Sequence, residues 1–152
     1  MKKTKYILII FILLLTACAK SSFDLNKFID KAQYNGYLIE ENKTGYETYT
    51  NIVDVYYAVN RENAYDIQFL KLNNVNYAKN FFLLNVDEIK KDLTNKDYVK
   101  SDTSSNYEYY HAENESKYYL VARSDTNIIY ISAPIGYINE IEEFLHDLEI
   151  DF

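Results

Sequence analysis

Short segments with an apolar or aromatic residue at every second position constrain the fold of this chain most strongly. Alternation of this kind has the period of a β-strand with one buried face. Two neighbouring pairs of such segments are each separated by a short polar turn, which predicts two β-hairpins. The alternation is present at 53–59 and 65–69, and the other predicted strands are residues 37–40, 107–112, 118–123 and 128–133, the last of them a continuous apolar run.

Three further segments have apolar residues at spacings of three and four, the period of a helix that packs on one side. Residues that favour helix starts stand before each of them. The first segment covers residues 23–32 with Ser22 as its cap, the second begins after Asn73 or Asn74 and runs to Leu93, and the third follows Pro134.

The order of these segments predicts the α+β class. We expect an antiparallel sheet of about six strands, with about three helices packed on one face and a more polar opposite face. The polar residues 94–105 are predicted to form a loop. Residues 56–67 and 109–120 match each other weakly, which suggests an internal duplication of a hairpin and a helix.

The N-terminus has the three parts of an export signal: the basic stretch MKKTK, an apolar run at 7–15, and small residues before Cys18. The apolar run is shorter than the roughly 20 residues of a membrane-spanning helix. Leu15-Thr16-Ala17-Cys18 resembles the lipobox of bacterial lipoprotein precursors. The resemblance implies that residues 1–17 are a signal peptide and that Cys18, the only cysteine, receives a lipid. The alternative is an ordinary export signal in which the cysteine stands by chance.

Beyond this motif, the chain resembles small uncharacterised lipoproteins of low-GC bacteria in general pattern, a likeness that implies no activity. Two acyl chains on Cys18 would hold the protein stably on the extracytoplasmic face of the cell membrane. Residues 18–22 would then be the lipidated cysteine and a tether, whose four residues after Cys18 reach roughly 14 Å when extended. Residues 23–152 are predicted to form a single domain.

The charge balance disfavours nucleic acid as a partner. The full chain has a net charge of -7, and cleavage before Cys18 would remove three lysines and no acidic residue, which makes the charge -10. A domain of this charge repels phosphate backbones and suits a cationic peptide or protein patch. The predicted partners are the membrane, through the lipid on Cys18, and an envelope protein or peptide.

The sequence shows no motif for catalysis, metal binding or cofactor binding. His111 and His146 lack zinc-ligand spacing, and no G-x-S-x-G motif, phosphate-binding glycine loop or calcium loop occurs. His146 is interpreted as structural, because cations suit the ends of helices. We therefore predict no catalytic residue, no metal ligand and no cofactor, and Cys18 as the lipid attachment site. The ligand-binding residues are left open.

Tyrosine is unusually frequent, with 17 copies and no tryptophan. Tyrosines at 107–110 and 118–119 are expected to place rings on both faces of adjacent strands, which would leave an exposed aromatic patch of the kind found at recognition surfaces. The alternative is that tyrosine is frequent because it suits strands. The first function hypothesis is a non-enzymatic binding or interaction module.

The second function hypothesis is a cell-envelope hydrolase that uses paired carboxylates. Such an enzyme requires a cleft with two close Glu or Asp side chains, at least one of which has a raised pKa. Most acidic clusters are interpreted instead as solvated surface. They are Glu40-Glu41, Asp87-Glu88, Glu140 with Glu142 and Glu143, and Asp147 with Glu149 and Asp151.

Overall fold

A computed structural model describes residues 22–94, 97–104 and 106–150. The helices are α1 (Leu25–Tyr34), α2 (Val75–Lys91) and α3 (Ile138–Asp147), and a short 3-10 turn, Ile135–Tyr137, leads into α3. The strands are β1 (Leu38–Glu41), β2 (Ile52–Val59), β3 (Asp66–Leu72), β4 (Tyr98–Thr103), β5 (Tyr107–Glu113), β6 (Lys117–Ser124) and β7 (Asn127–Pro134). The signal peptide, the lipobox and Cys18 lie outside these residues.

The strands form one antiparallel sheet in the order β1-β2-β3-β7-β6-β5-β4. Two consecutive meanders, β1 to β3 and β4 to β7, meet where β3 pairs with β7, with Ile67 opposite Ile131 and Phe69 opposite Ile129. The α+β class, the antiparallel sheet and the three helices are confirmed. The sheet has seven strands rather than about six.

The additional strand is β4, which lies within the predicted loop 94–105. All six of its residues are exposed, so the sequence shows no apolar alternation there. The strand is held by backbone pairing with β5 along its whole length. An edge strand needs only one paired side, which is why such a polar segment can join the sheet.

The prediction that all helices pack on one face is wrong, because the sheet is covered on both faces. Helices α1 and α3 pack on one face. There the ring centre of Phe28 of α1 lies 5.3 Å from that of Phe69 and 5.8 Å from that of Phe144. Helix α2 packs on the other face through Phe82 and Val86. The central strands are apolar on both sides, so both faces have to be shielded from water.

Side-chain caps fix the starts of the first two helices. Asp24, not Ser22, caps α1 by accepting a hydrogen bond from the Lys27 amide at 2.9 Å. Asn74 caps α2, as predicted, by accepting one from the Tyr77 amide at 3.0 Å. Gly36 then ends the turn after α1 with a φ of +82°, a conformation that glycine adopts without strain.

The α2 side of the sheet contains a buried ion pair. Arg123 of β6 is fully buried, and its Nε donates to the carboxylate of Glu108, the residue directly opposite on β5. One Nη of the same side chain donates to the Asp125 carbonyl at 3.0 Å. A guanidinium in this position depends on its carboxylate, because a buried charge without a counter-charge is costly.

The two halves of the chain differ in where their helices lie. The helix that follows β3 packs on one face of the sheet, and the helix that follows β7 packs on the other. The weak internal duplication therefore stays a prediction from the sequence alone. No helix within the described ranges is long and apolar enough to cross a membrane.

Candidate functional site

A row of side chains crosses three strands at one end of the sheet. Tyr98 of β4 stands opposite Glu113 of β5, which stands opposite Tyr118 of β6. Residues paired in this way share a face, and residues two apart on one strand share it too, so His111 lies on the same side. This is the face on which α1 and α3 pack.

Helix α3 adds Glu142 above this row. Tyr98, His111, Glu113 and Glu142 together line an open cleft of about 610 Å³, which we call the acidic cleft. The sheet end at which it lies, where β5 ends and β6 begins, is called the cleft end. Sequence periodicity places Glu142 on the polar side of α3, but only the packing of α3 on the sheet brings it to His111 and Glu113.

The floor of the acidic cleft is tightly packed. His111 is almost fully buried, and its Nε2 lies 2.9 Å from a carboxylate oxygen of Glu113. The His111 ring lies between Tyr118, at 4.8 Å between ring centres, and Tyr98, at 5.4 Å. Tyr118 is fully buried, whereas Tyr98 is half exposed. The ring of Tyr98 is therefore accessible from the solvent side of the cleft.

Burial shifts the pKa values of this group toward the neutral forms. It lowers the pKa of His111 to about 4, an effect to which the charge of Lys100, directly opposite on β4, contributes. Burial also raises the pKa of Glu113, and the charge of Glu142 raises it further. The histidine is therefore neutral at pH 7, and the two glutamates give the cleft its negative charge.

The hydroxyl of Tyr118 is buried, and Tyr118 stands directly opposite Glu113 on the neighbouring strand. Burial raises the pKa of Tyr118, and the charges of Glu142 and Glu113 raise it further. Among residues 22–94, 97–104 and 106–150, this hydroxyl has no hydrogen-bond partner. A buried hydroxyl of this kind is a polar group that a bound water molecule can satisfy.

The cleft is suited to a positively charged group. None of its four lining residues is a lysine or an arginine, two are carboxylates and one is a half-exposed aromatic ring. Carboxylates form strong hydrogen bonds with ammonium and guanidinium groups, and aromatic faces attract cations. A cluster of three or more His, Cys, Asp or Glu side chains that could hold a metal ion is not found in the described part of the chain.

A second cleft, of about 430 Å³, lies at the same end of the sheet, near the turn between β2 and β3. Here the hydroxyls of Tyr37 and Tyr65 are 2.7 Å apart, and Tyr65 donates to Glu140 at 2.8 Å. Tyr137 donates to Glu62 at 2.7 Å. Because these polar groups satisfy one another, this cleft is the weaker candidate for a ligand site.

The predicted tyrosine patch is wrong. Both faces of the strands are covered by helices, so rings on either face are buried in a core. The affected residues are Tyr107, Tyr109, Tyr110, Tyr118 and Tyr119, none more than 7% exposed. Among the tyrosines that the structure describes, the exposed ones are Tyr34, Tyr49, Tyr77 and Tyr98.

The acidic clusters are mostly exposed, as predicted, although Glu142 also reaches the acidic cleft. In the last cluster Glu149 is exposed, Asp147 is partly buried, and Asp151 lies outside the described residues. His146 is exposed in the last turn of α3. His111 and Glu113 were not predicted as a site, although their spacing of two on a strand was the signal that could have paired them.

Comparison with protein-family models, with curated proteins and with solved structures finds no match for this chain.

Proposed function

We propose that this chain is a membrane-anchored extracytoplasmic lipoprotein whose folded part is a non-enzymatic binding module for a cationic peptide or protein surface of the cell envelope. The lipobox at Leu15-Thr16-Ala17-Cys18 supports the anchor. The observation on which the binding role rests is the acidic cleft, where Glu113 and Glu142 stand beside the half-exposed ring of Tyr98.

A lysine or arginine side chain of the partner would enter between the two carboxylates and lie against Tyr98. The overall negative charge of the chain would favour the encounter and make it dependent on ionic strength. This role needs no catalytic residue, metal or cofactor, which agrees with the motifs that the sequence lacks.

The anchor is tested by mass spectrometry of the mature protein from a lipoprotein-processing host. We expect a diacylglyceryl group on Cys18, and we expect Cys18→Ala to move from the membrane to the soluble fraction. Crosslinking in intact cells, with Cys18→Ala as the control, would then identify an envelope partner. Membrane retention of an unmodified chain would contradict the anchor.

The cleft is tested by calorimetric titration with an octa-lysine peptide and with its acetylated form, which has lost the side-chain charges. Glu142→Gln keeps the shape and removes the charge, and we expect it to weaken binding about fivefold, the difference between a charge-assisted and a neutral hydrogen bond. Glu143→Gln, the neighbouring exposed residue outside the cleft lining, is the matched control. Equal losses for the two variants would refute the cleft as the binding site.

The second candidate function is a cell-envelope hydrolase. A specific observation favours it, because the acidic cleft brings together two carboxylates and burial raises the pKa of one of them, Glu113. In that role protonated Glu113 would be the general acid and ionised Glu142 the base or nucleophile. Hydrolysis of cell-wall glycan fragments that is abolished by Glu113→Gln and unaffected by Glu143→Gln would favour this function over binding alone.

A further inference from the structure

An apolar groove lies on the α2 face, at the end of the sheet opposite to the acidic cleft. It is open to solvent, has a volume of about 410 Å³, and is formed by the start of β2, the end of β3 and the first half of α2. None of its lining residues is charged. They are Tyr49, Asn51, Ile52, Leu72, Tyr77, Asn80, Phe81 and Leu84.

Several apolar side chains on the rim of this groove are exposed to solvent rather than buried in the core. Leu84 is 65% exposed, and Leu83, the next residue of α2, is 57% exposed. Tyr49 and Tyr77 are also exposed and stand on the rim. Contiguous apolar surface of this kind marks a face that meets a partner or a membrane.

The start of the folded domain lies at the same end of the sheet. The carbonyl of Phe23 accepts a hydrogen bond from the side chain of Asn127, the first residue of β7, at 2.9 Å. The neighbouring amide of Leu72 donates to the Thr126 carbonyl at 2.9 Å, and Leu72 lines the apolar groove. The chain therefore enters the domain at the groove end of the sheet, although Phe23 itself packs on the opposite face, with α1 and α3.

The length of chain between the domain and the proposed anchor restricts how the domain can sit on a membrane. If Cys18 holds the lipid, residues 19–22 are the whole link to Phe23, and they reach roughly 14 Å at most. The two ends of the sheet are separated by the length of a strand such as β7, which has eight residues. At a rise of about 3.3 Å per residue, this distance is greater than the length of the link. The anchored domain can therefore place its groove end, but not its cleft end, on the bilayer.

We infer that the apolar groove and its rim rest on the lipid bilayer. Tyrosine suits the membrane interface, where its ring is buried and its hydroxyl stays in water, and leucine contributes apolar area. Contact there adds apolar burial to the lipid anchor and fixes the orientation of the domain. In this orientation the acidic cleft faces away from the membrane, toward the envelope. The inference rests on the proposed lipid anchor.

The test uses the absence of tryptophan from the chain, which makes any introduced tryptophan the only one. Leu84→Trp places it on the rim of the groove. Leu38→Trp is the matched control, because Leu38 is 56% exposed and pairs with Val59 at the cleft end of the sheet. Both full-length variants would be isolated with their lipid and reconstituted into phosphatidylglycerol–phosphatidylcholine vesicles with brominated acyl chains, which quench nearby tryptophan.

We expect the emission of Leu84→Trp to shift to the blue and to lose roughly half of its intensity in brominated vesicles, because the rim lies at the depth of the headgroups and upper acyl chains. The emission of Leu38→Trp is expected to stay unchanged. Tyr49→Trp, on another part of the rim, repeats the test if Leu84→Trp does not fold.

Other results would overturn the inference in distinguishable ways. Equal quenching of the two variants, or quenching of neither while both sediment with the vesicles, would overturn membrane docking and leave the lipid anchor intact. Blue-shifted emission of Leu84→Trp without vesicles, together with dimers in light scattering, would assign the groove to a second copy of the chain. A chain without lipid on Cys18 that does not sediment with vesicles would overturn the anchor and the docking together.

Discussion

The buried histidine of the acidic cleft makes the stability of this protein depend on pH in a defined way. His111 has an ordinary pKa of 6.5 when exposed, and burial lowers it to about 4 in the folded protein. Between these values the unfolded chain binds a proton that the folded protein does not. The contribution of His111 is thus fully present above pH 6.5 and is lost as the pH falls toward 4.

The size of this effect follows from the two pKa values. At about 1.4 kcal/mol per pH unit, the wild-type protein should lose about 3 kcal/mol of unfolding free energy between pH 7.5 and pH 4 through His111 alone. The variant His111→Gln removes the titrating group and should lack this part of the loss. His146→Gln replaces the exposed histidine of α3 and is the matched control.

Urea unfolding followed by far-ultraviolet circular dichroism measures the effect at each pH. All other titrating groups are shared by wild type and variant, so they cancel in the difference between the two pH profiles. Parallel profiles would refute the reasoning. The opposite result would be a wild-type free energy of unfolding that rises, relative to that of His111→Gln, as the pH falls. It would show that His111 is protonated in the folded protein and forms an ion pair with Glu113.

Two further predictions concern contacts on the α2 side of the sheet that stabilise the fold. Glu108→Gln should cost about 3 kcal/mol in urea unfolding, because it leaves the buried Arg123 guanidinium without its counter-charge, and a loss below about 1 kcal/mol would show that this charge is solvated after all. Asn74→Ala should cost about 1 kcal/mol in the same assay through loss of the α2 cap, whereas Asn76→Ala, an exposed position inside α2, should cost less.

The parts of the fold that local pattern determines could be predicted from the sequence. The hairpin of β2 and β3 and the helix after Asn74 were predicted because alternation, turn residues and a cap occur within a few residues of one another. β4 was not predicted, since its exposed side chains have no pattern and its position depends on pairing with β5. The placement of the helices on both faces likewise depends on how β3 and β7 meet.

The acidic cleft could be predicted only in part. His111 lies on the predicted strand 107–112, but Glu113 was assigned to the turn after it, and the face they share became evident only when the structure extended β5 to Glu113. Glu142 comes from α3, and no local rule specifies which strands a helix will cover. The lipid attachment site at Cys18 differs from the cleft, because its motif consists of four consecutive residues, 15–18. It remains a prediction from the sequence.

The central position of β7 has a consequence for how the chain folds. The last strand in sequence is the one that joins the two meanders, through pairs such as Ile67 with Ile131. Until β7 is present, β3 is an edge strand with apolar residues on both faces. Contacts between segments that are far apart in sequence slow folding, and apolar surface stays exposed until they form. During synthesis, which starts at the N-terminus, the sheet is therefore completed only after nearly the whole chain has been made. In that interval β3 is the strand that most needs protection by chaperones.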